Sequence, residues 1–566
     1  MARRVRLACR APTASDPLLA VIMDTGGSSP GIHIRLEAVI GVGRCQVRWS
    51  FSILRVGASL LALCSMPSMA GAVAPEAETE TGRVAGATQN GIDRFLGIPY
   101  AGDTGGANRW RPPQPVAAWS GVRDATQFSA DCQQDPPYTP PGGSPWSAEY
   151  FPTRPMSEDC LSVNVWRPSG ASGAGHSVMV WIHGGGFAGG SGSVPLYDGE
   201  KLAARGIIVV TINYRVGIYG FLAHPALTAE AGSSGNYGLM DQVAALRWVQ
   251  KNIANFGGDP KRVTIAGQSA GAASVHALLS SPKADGLFIR AIAQSGSGMG
   301  IPSLPLSDAE ARGQKVMNAA GVTGIAALRA LSPEQLAKAA KDPSVGPPGL
   351  RFFPITEPTV LPDPERQRQD IPVLTGLTTD ESSNGHDWHL TTSVKLNDLI
   401  DRRFGTQAPS FRPFYQGSDG KAAGEAARAL LREQATASML IWAQTRQPGA
   451  APVYAYLFQH PQPGSDPARF GTFHSAELPY VFATLDKSTR PFIKADHDIA
   501  ATLGQYWANF VKSGNPNGAG LPEWPALANG RVMGLGDRTG VIEPLSPAKR
   551  QVYSAFVANG GKLGLF

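Results

Sequence analysis

The sequence predicts an α/β protein with a large, mostly parallel central sheet flanked by helices. Three observations predict it. Short runs of continuously apolar residues recur along the chain, helical segments separate them, and 566 residues exceed a simple single-core domain. Length leaves either two domains or one large α/β domain with long insertions, and the motifs below decide for the second.

The elements follow in chain order. Gly82 to Tyr100 alternates small and apolar residues around Asn90-Gly91 and predicts an opening β-hairpin. Asp135 to Pro145 (DPPYTPPGGSP) is a loop, because proline and glycine disrupt either regular ladder. Apolar strands are expected at Val178–Ile182, Ile207–Ile212, Val263–Ala266, Ile289–Ala293 and Ile371–Leu374, with helices at Asp241–Ile253 and after Ser269. Residues from about 300 to 450 read as more helical. Ser332-Pro333-Glu334-Gln335 has capping-box spacing with proline at the first helical position, and Lys421–Arg446 is a long alanine-rich helix. These helices are expected as insertions over the C-terminal edge of the sheet, where open α/β sheets place their pocket.

Composition is that of a globular protein, 43% hydrophobic and 17% charged. The formal charge of +6 is concentrated at the start, where residues 1–55 hold eight arginines against three acids. The remainder is nearly neutral, which argues against nucleic acid or an anionic membrane as partner. The basic stretch runs into Val56 to Met66, an apolar run too short to span a bilayer, then Pro67 and Ala70-Gly71-Ala72. That is the order of a secretory signal, so residues 1–72 are expected as leader and 73–566 as the mature domain, secreted or periplasmic. An ordinary signal would begin near Val47, so the first residues look over-extended. Leu63 before Cys64 departs from a lipoprotein signal. Cleavage after Ala72 removes Cys9, Cys45 and Cys64 and leaves Cys132 and Cys160, which by default pair in an exported chain.

Two motifs carry chemistry. Gly267-Gln268-Ser269-Ala270-Gly271 lies between the strand VTIA and a helix-compatible run, which is the strand, G-x-S-x-G, helix context of a nucleophile elbow. The glycines let the chain turn sharply and expose the Ser269 hydroxyl above the sheet. His183-Gly184-Gly185-Gly186-Phe187 follows the strand VMVWI. Its glycines free backbone N–H groups, so Gly185 and Gly186, with Ala270, are expected to form an oxyanion hole.

The chain resembles the type-B carboxylesterases, the cholinesterase-like α/β-hydrolases. The resemblance rests on FGGDPKRVTIAGQSAG at 256–271 and EDCLSVNVWRP at 158–168, with RFLGIPYA at 94–101, GNYGLMDQ at 235–242, HSAELPYVF at 474–482 and YWANFVKSGNPNG at 506–518. It implies the α/β-hydrolase fold and a Ser–Glu–His triad. By the family pattern the acid is Glu381, in Asp380-Glu381 after IPVLTG, and the histidine is His474. The chemistry agrees, since serine needs a neutral imidazole to take its proton and a carboxylate to hold that imidazole. Ser295 matches a family serine and is expected behind the triad rather than against substrate. His460, at the end of YAYLFQH, competes with His474, and His386-Asp387-Trp388-His389 reads as a polar loop rather than a metal pair. No metal or other cofactor is called for.

The sequence departs from the family at Gln268, where glutamate is frequent, at Ser162, where an aromatic is usual, at Gly102-Asp103-Thr104 and at Ser475, where glycine is common. None removes a catalytic group. The expected activity is hydrolysis of a small carboxylic ester. The alternatives are an amidase or peptidase with the same triad and a non-catalytic binding protein, the latter typically lacking the nucleophile. Gln268 is neutral, so a neutral ester with an apolar or aromatic portion is expected rather than a choline ester. Trp146, Tyr150 and Phe151 either face it or anchor their loop.

Overall fold

The computed structural model describes residues 74–564 apart from 137–142, 172, 174, 297–302, 384–387, 419 and 447–448, together with the backbone of 20–21 and 36–37. The chain divides into Met1–Ala72 and Val73–Phe566. In the first unit Ala20–Val21 pairs antiparallel with Leu36–Glu37. The apolar run at 56–66, the triplet at 70–72 and Cys9, Cys45 and Cys64 lie outside the described residues.

In the second unit the described residues form a central sheet of eleven strands: β1 (Ala87–Gln89), β2 (Ile92–Pro99), β3 (Ser162–Pro168), β4 (His176–Ile182), β5 (Ile208–Ile212), β6 (Gly258–Gln268), β7 (Arg290–Gln294), β8 (Val373–Thr378), β9 (Val453–Phe458), β10 (Val532–Leu535) and β11 (Gly540–Ile542). Their spatial order is β1-β2-β3-β5-β4-β6-β7-β8-β9-β10-β11. Every neighbouring pair from β5 to β10 is parallel, and the outer pairs are antiparallel. The hairpin of β1 and β2 turns at Asn90 (φ 51°) and Gly91 (φ 74°), the two positive angles that a tight hairpin turn requires.

The apolar strands read from sequence are the parallel core. Along β4, Val178, Val180 and Ile182 enter one apolar cluster while Met179 and Trp181 enter another, all with 0% exposure. Burying each such side chain contributes about 1.5–3 kcal/mol, and a strand covered on both faces has no polar position to spare. Strand β6 begins earlier than its apolar run, at Gly258, because it also pairs with His176 across a register shift. That irregularity accommodates Pro260, which has no N–H for a regular ladder.

Chain order fixes where the site lies. From β4 the chain steps to β5 on one side, then crosses to β6 on the other, so the two loops leaving β4 and β6 open a crevice at their C-terminal ends. Helix Ala270–Ser280 follows β6, as expected. The helical region contains Leu306–Ala319, Pro333–Ala340, Ser393–Phe404 and Gly420–Gln444. The capping box is formed: Gln335 N donates to Ser332 Oγ (3.2 Å) and Ser332 N to Gln335 Oε1 (2.8 Å). The helix at 420–444 packs Ala427 and Leu430 into an apolar cluster shared with Leu377 of β8. Cys132 and Cys160 form a disulfide with 28-residue separation, worth about 3–4 kcal/mol in the chain-entropy account. No described helix is long and apolar enough to cross a membrane.

Candidate active site

Strand β6 delivers Ser269 into a backbone conformation that side chains rarely adopt, φ 59° and ψ −123°. Its surroundings impose that angle. Ser269 N donates to the Gln294 carbonyl at the end of β7 (2.9 Å), and its own carbonyl accepts from Ala273 N (2.9 Å). Only glycine fits at 271, since a methyl group there would lie 2.0 Å from the Ile182 carbonyl oxygen.

The loop leaving β4 lies against this elbow. A methyl group on Gly184 would meet Ser269 Cβ at 3.1 Å. Gly185 turns the loop at φ 108°, and its carbonyl accepts from Ala188 N (3.1 Å) and Gly189 N (3.2 Å). Among the described residues, the N–H groups of Gly185, Gly186 and Ala270 donate to no protein acceptor. Unengaged donors in a loop that abuts a half-buried serine are what holding an oxyanion requires. His183 packs ring to ring on Tyr214 (4.3 Å), and burial pushes its pKa down to about 4, so it is a neutral support of the loop.

Gln134, which sequence reasoning missed, fixes the far end of that loop. Its amide oxygen accepts from Gly190 N (2.8 Å), while its amide nitrogen donates to the carbonyls of Gly190 (3.0 Å) and Cys132 (2.9 Å). The disulfide and the glycine loop are thereby tied together.

The candidate acid and base come from distant loops brought together by one parallel bridge, Asp380 to Phe473, which sets their chain neighbours Glu381 and His474 side by side. His474 Nδ1 is hydrogen-bonded to Glu381 Oε2, and Glu381 Oε1 accepts from Thr378 N (2.8 Å). Asp380 turns away. It accepts from Arg428 Nη2 (2.8 Å), Arg432 Nη2 (3.0 Å) and Thr472 N (3.0 Å). Burial alone would raise its pKa, but the two guanidiniums outweigh it and hold the carboxyl below its ordinary value.

The described residues show no hydrogen bond between Ser269 Oγ and His474. His474 Nε2 instead meets the Gln268 amide nitrogen at 3.1 Å, an amide that also donates to Ser475 Oγ (2.9 Å). Ser475 adopts φ 79°, a conformation that favours glycine. Two of the three loop aromatics serve this turn. Trp146 Nε1 donates to the His474 carbonyl (3.1 Å), and Tyr150 OH reaches the Ser475 carbonyl (3.4 Å) while accepting from Gln462 (2.6 Å).

The remaining candidates separate cleanly. Both ring nitrogens of His460 are engaged, Nδ1 by Asp537 (2.7 Å) and Nε2 by Asp496 (2.9 Å), so it does not serve as the base. His386 and the side chain of His389 lie outside the described residues. Ser295 is fully buried at φ 54°, its N–H donating to the Gly376 carbonyl (2.7 Å), and it supports the strand ends behind the elbow. A second buried carboxyl, Glu477, sits three residues past His474 and accepts from Gln294 Nε2 (3.0 Å). Burial, then the Glu381 charge, raise its pKa to about 7. Its signal in the sequence was an acid in the otherwise apolar run ELPYVF.

The sequence matches the Carboxylesterase family over residues 73–552. It is 35% identical over 554 residues to the fumonisin B1 esterase of Sphingopyxis macrogoltabida, covering 93% of this chain and 97% of that protein. To the para-nitrobenzyl esterase of Bacillus subtilis it is 36% identical over 480 residues, covering 79% and 91%. A solved PNB esterase structure superposes with a TM-score of 0.71 at 32% identity, covering 84% of this chain and 99% of that one. With an α/β-hydrolase sheet, a serine at its elbow and likeness over most of its length, the chain belongs to the carboxylesterase family and is a serine carboxylic ester hydrolase.

Proposed function

We propose that Ser269 is the nucleophile, His474 the general base and Glu381 its orienting acid, and that an acyl-enzyme forms on Ser269. Ser269 Oγ attacks the ester carbonyl and gives its proton to His474 Nε2, so the Gln268 amide must yield that nitrogen when substrate enters. The negative oxygen is held by the N–H groups of Gly185, Gly186 and Ala270. The alcohol leaves with the proton from His474, and water repeats the cycle on the acyl-enzyme. What supports this reading is a strained serine abutted by a loop whose Gly185 and Gly186 N–H groups are unengaged, with the Glu381–His474 pair at the neighbouring Gln268 amide. A phosphonate ester probe followed by peptide mapping is expected to label Ser269. Label on another serine would overturn the assignment.

Gln268 carries no charge to attract a quaternary ammonium, so choline esters are expected to be poor substrates. An apolar preference draws less support, because hydrogen bonds to the histidine turn already account for Trp146 and Tyr150. Comparing kcat/KM for butyrylcholine with an uncharged butyrate ester tests the exclusion, and a clear choline preference would refute it.

We also propose export, with residues 1–72 as leader. The order of basic, apolar and small residues supports it, as does the Cys132–Cys160 bond, since disulfides persist in oxidising compartments. N-terminal sequencing of the exported protein is expected to begin near Val73, and recovery only from the cytoplasm would contradict it.

A further inference from the structure

A guanidinium lies against the loop expected to hold the oxyanion. A methyl group on Gly186 would sit 2.1 Å from Arg351 Nη1 and 3.0 Å from its Cζ. The segment presenting Arg351 is anchored on either side, by Leu350 and Phe352 packed into the main apolar cluster, while Arg351 itself is exposed. Arg312 Nη1 donates to the Arg351 carbonyl (3.3 Å), bringing a second cation to the same segment. Among the described residues no carboxylate pairs with the Arg351 side chain.

An arginine on a protein surface is ordinarily just solvated. This one adjoins a loop whose other end touches the nucleophile, since Gly184 abuts Ser269 and Gly186 abuts Arg351. If the Gly186 N–H holds the oxyanion as proposed above, the 2.1 Å approach of Arg351 Nη1 to the Gly186 methyl position puts that nitrogen within roughly 8 Å of the oxyanion, the reach of an ester whose charged group lies two or three carbons from its carbonyl. A guanidinium offers paired N–H donors that match a carboxylate in both charge and shape.

We propose that Arg351 binds a free carboxylate on the substrate, so that the preferred substrates are esters of a dicarboxylic acid or of a hydroxy acid. This rests on the reading of Ser269 as nucleophile. It keeps the exclusion of choline esters and replaces the expected neutral substrate with an anionic one.

The test uses two matched pairs at low ionic strength. Monobenzyl glutarate is compared with benzyl hexanoate, placing the carboxylate on the acyl half. The butyrate ester of 4-(hydroxymethyl)benzoic acid is compared with that of 4-methylbenzyl alcohol, placing it on the alcohol half. In at least one pair kcat/KM is expected to favour the carboxylated ester about tenfold, mainly through KM and less so in added salt. Arg351→Gln should lower that ratio about tenfold, and Arg351→Lys should lower it less. A wild-type preference for the neutral ester in both pairs, or a ratio unchanged by Arg351→Gln in a variant with a wild-type melting temperature, would overturn the proposal. Failure of the underlying reading is distinguishable, because hydrolysis of all four esters would then survive in Ser269→Ala.

Discussion

The proposed nucleophile half of the site and the proposed acid–base half are held by different forces. Ser269 is fixed by backbone: strand β6 before it, a helix after it, a glycine that admits no side chain and hydrogen bonds on its N–H and carbonyl. Glu381 and His474 are 93 positions apart in sequence and are fixed by side chains and one isolated bridge, with Asp380 clamped by Arg428 and Arg432 and the histidine turn buttressed by Trp146 and Tyr150. A backbone-built half is set by short-range stereochemistry and tolerates almost no change. A half built from side chains divides its work among neighbours, so adjacent residues have separable roles.

Asp380 and Glu381 give the sharpest test of that division. Glu381→Gln removes the charge facing the imidazole and is expected to reduce kcat about 10⁴-fold with the fold intact. Asp380→Asn leaves two arginines without their partner and is expected to lower stability by roughly 1–3 kcal/mol, with a much smaller effect on rate. Urea melts and kcat for both variants check this, and exchanged phenotypes would reverse the two roles.

On the backbone side, Gly186→Val is expected to cost about 10²–10³ in kcat, because the new side chain displaces either the loop's N–H groups or Arg351. Full activity would remove Gly186 from the oxyanion hole. Gln134→Leu tests whether the loop needs its remote clamp. Losing the bonds to Gly190 is expected to lower kcat about tenfold with KM little changed, whereas a change confined to KM would assign Gln134 to substrate binding.

The smallest expected effect on rate is at Glu477, where the readout is stability. Its carboxyl titrates near pH 7 in the folded chain, against an ordinary value of 4.5. Between those values the folded protein keeps a proton that the unfolded chain has lost, so stability falls as pH rises through the window, by up to about 3 kcal/mol. Glu477→Gln should flatten that fall, as measured by urea melts at pH 5 and pH 8. An unchanged slope would mean the proton is held elsewhere.

How much of this was legible differs between the halves in the same way. The strands, the elbow at Ser269, the glycine loop at 185–186 and the capping box at Ser332 are local patterns, each set by residues within a few positions of one another, and the sequence by itself determined them. The pairing of Cys132 with Cys160 was expected only because reading residues 1–72 as a leader sets the other three cysteines aside. The start of β6 at Gly258 was not expected, because pairing with His176 extends a strand past its apolar run. Resemblance supplied Glu381 and His474, but only the tertiary structure decided that Asp380 faces arginines, that both nitrogens of His460 are taken, and that Gln134, Glu477 and Arg351 border the site. The physical reason is separation along the chain. A period or a turn is encoded by neighbours, whereas the partner of a carboxylate or an amide is chosen by which loops the folded sheet brings together, and nothing in the local sequence names that partner.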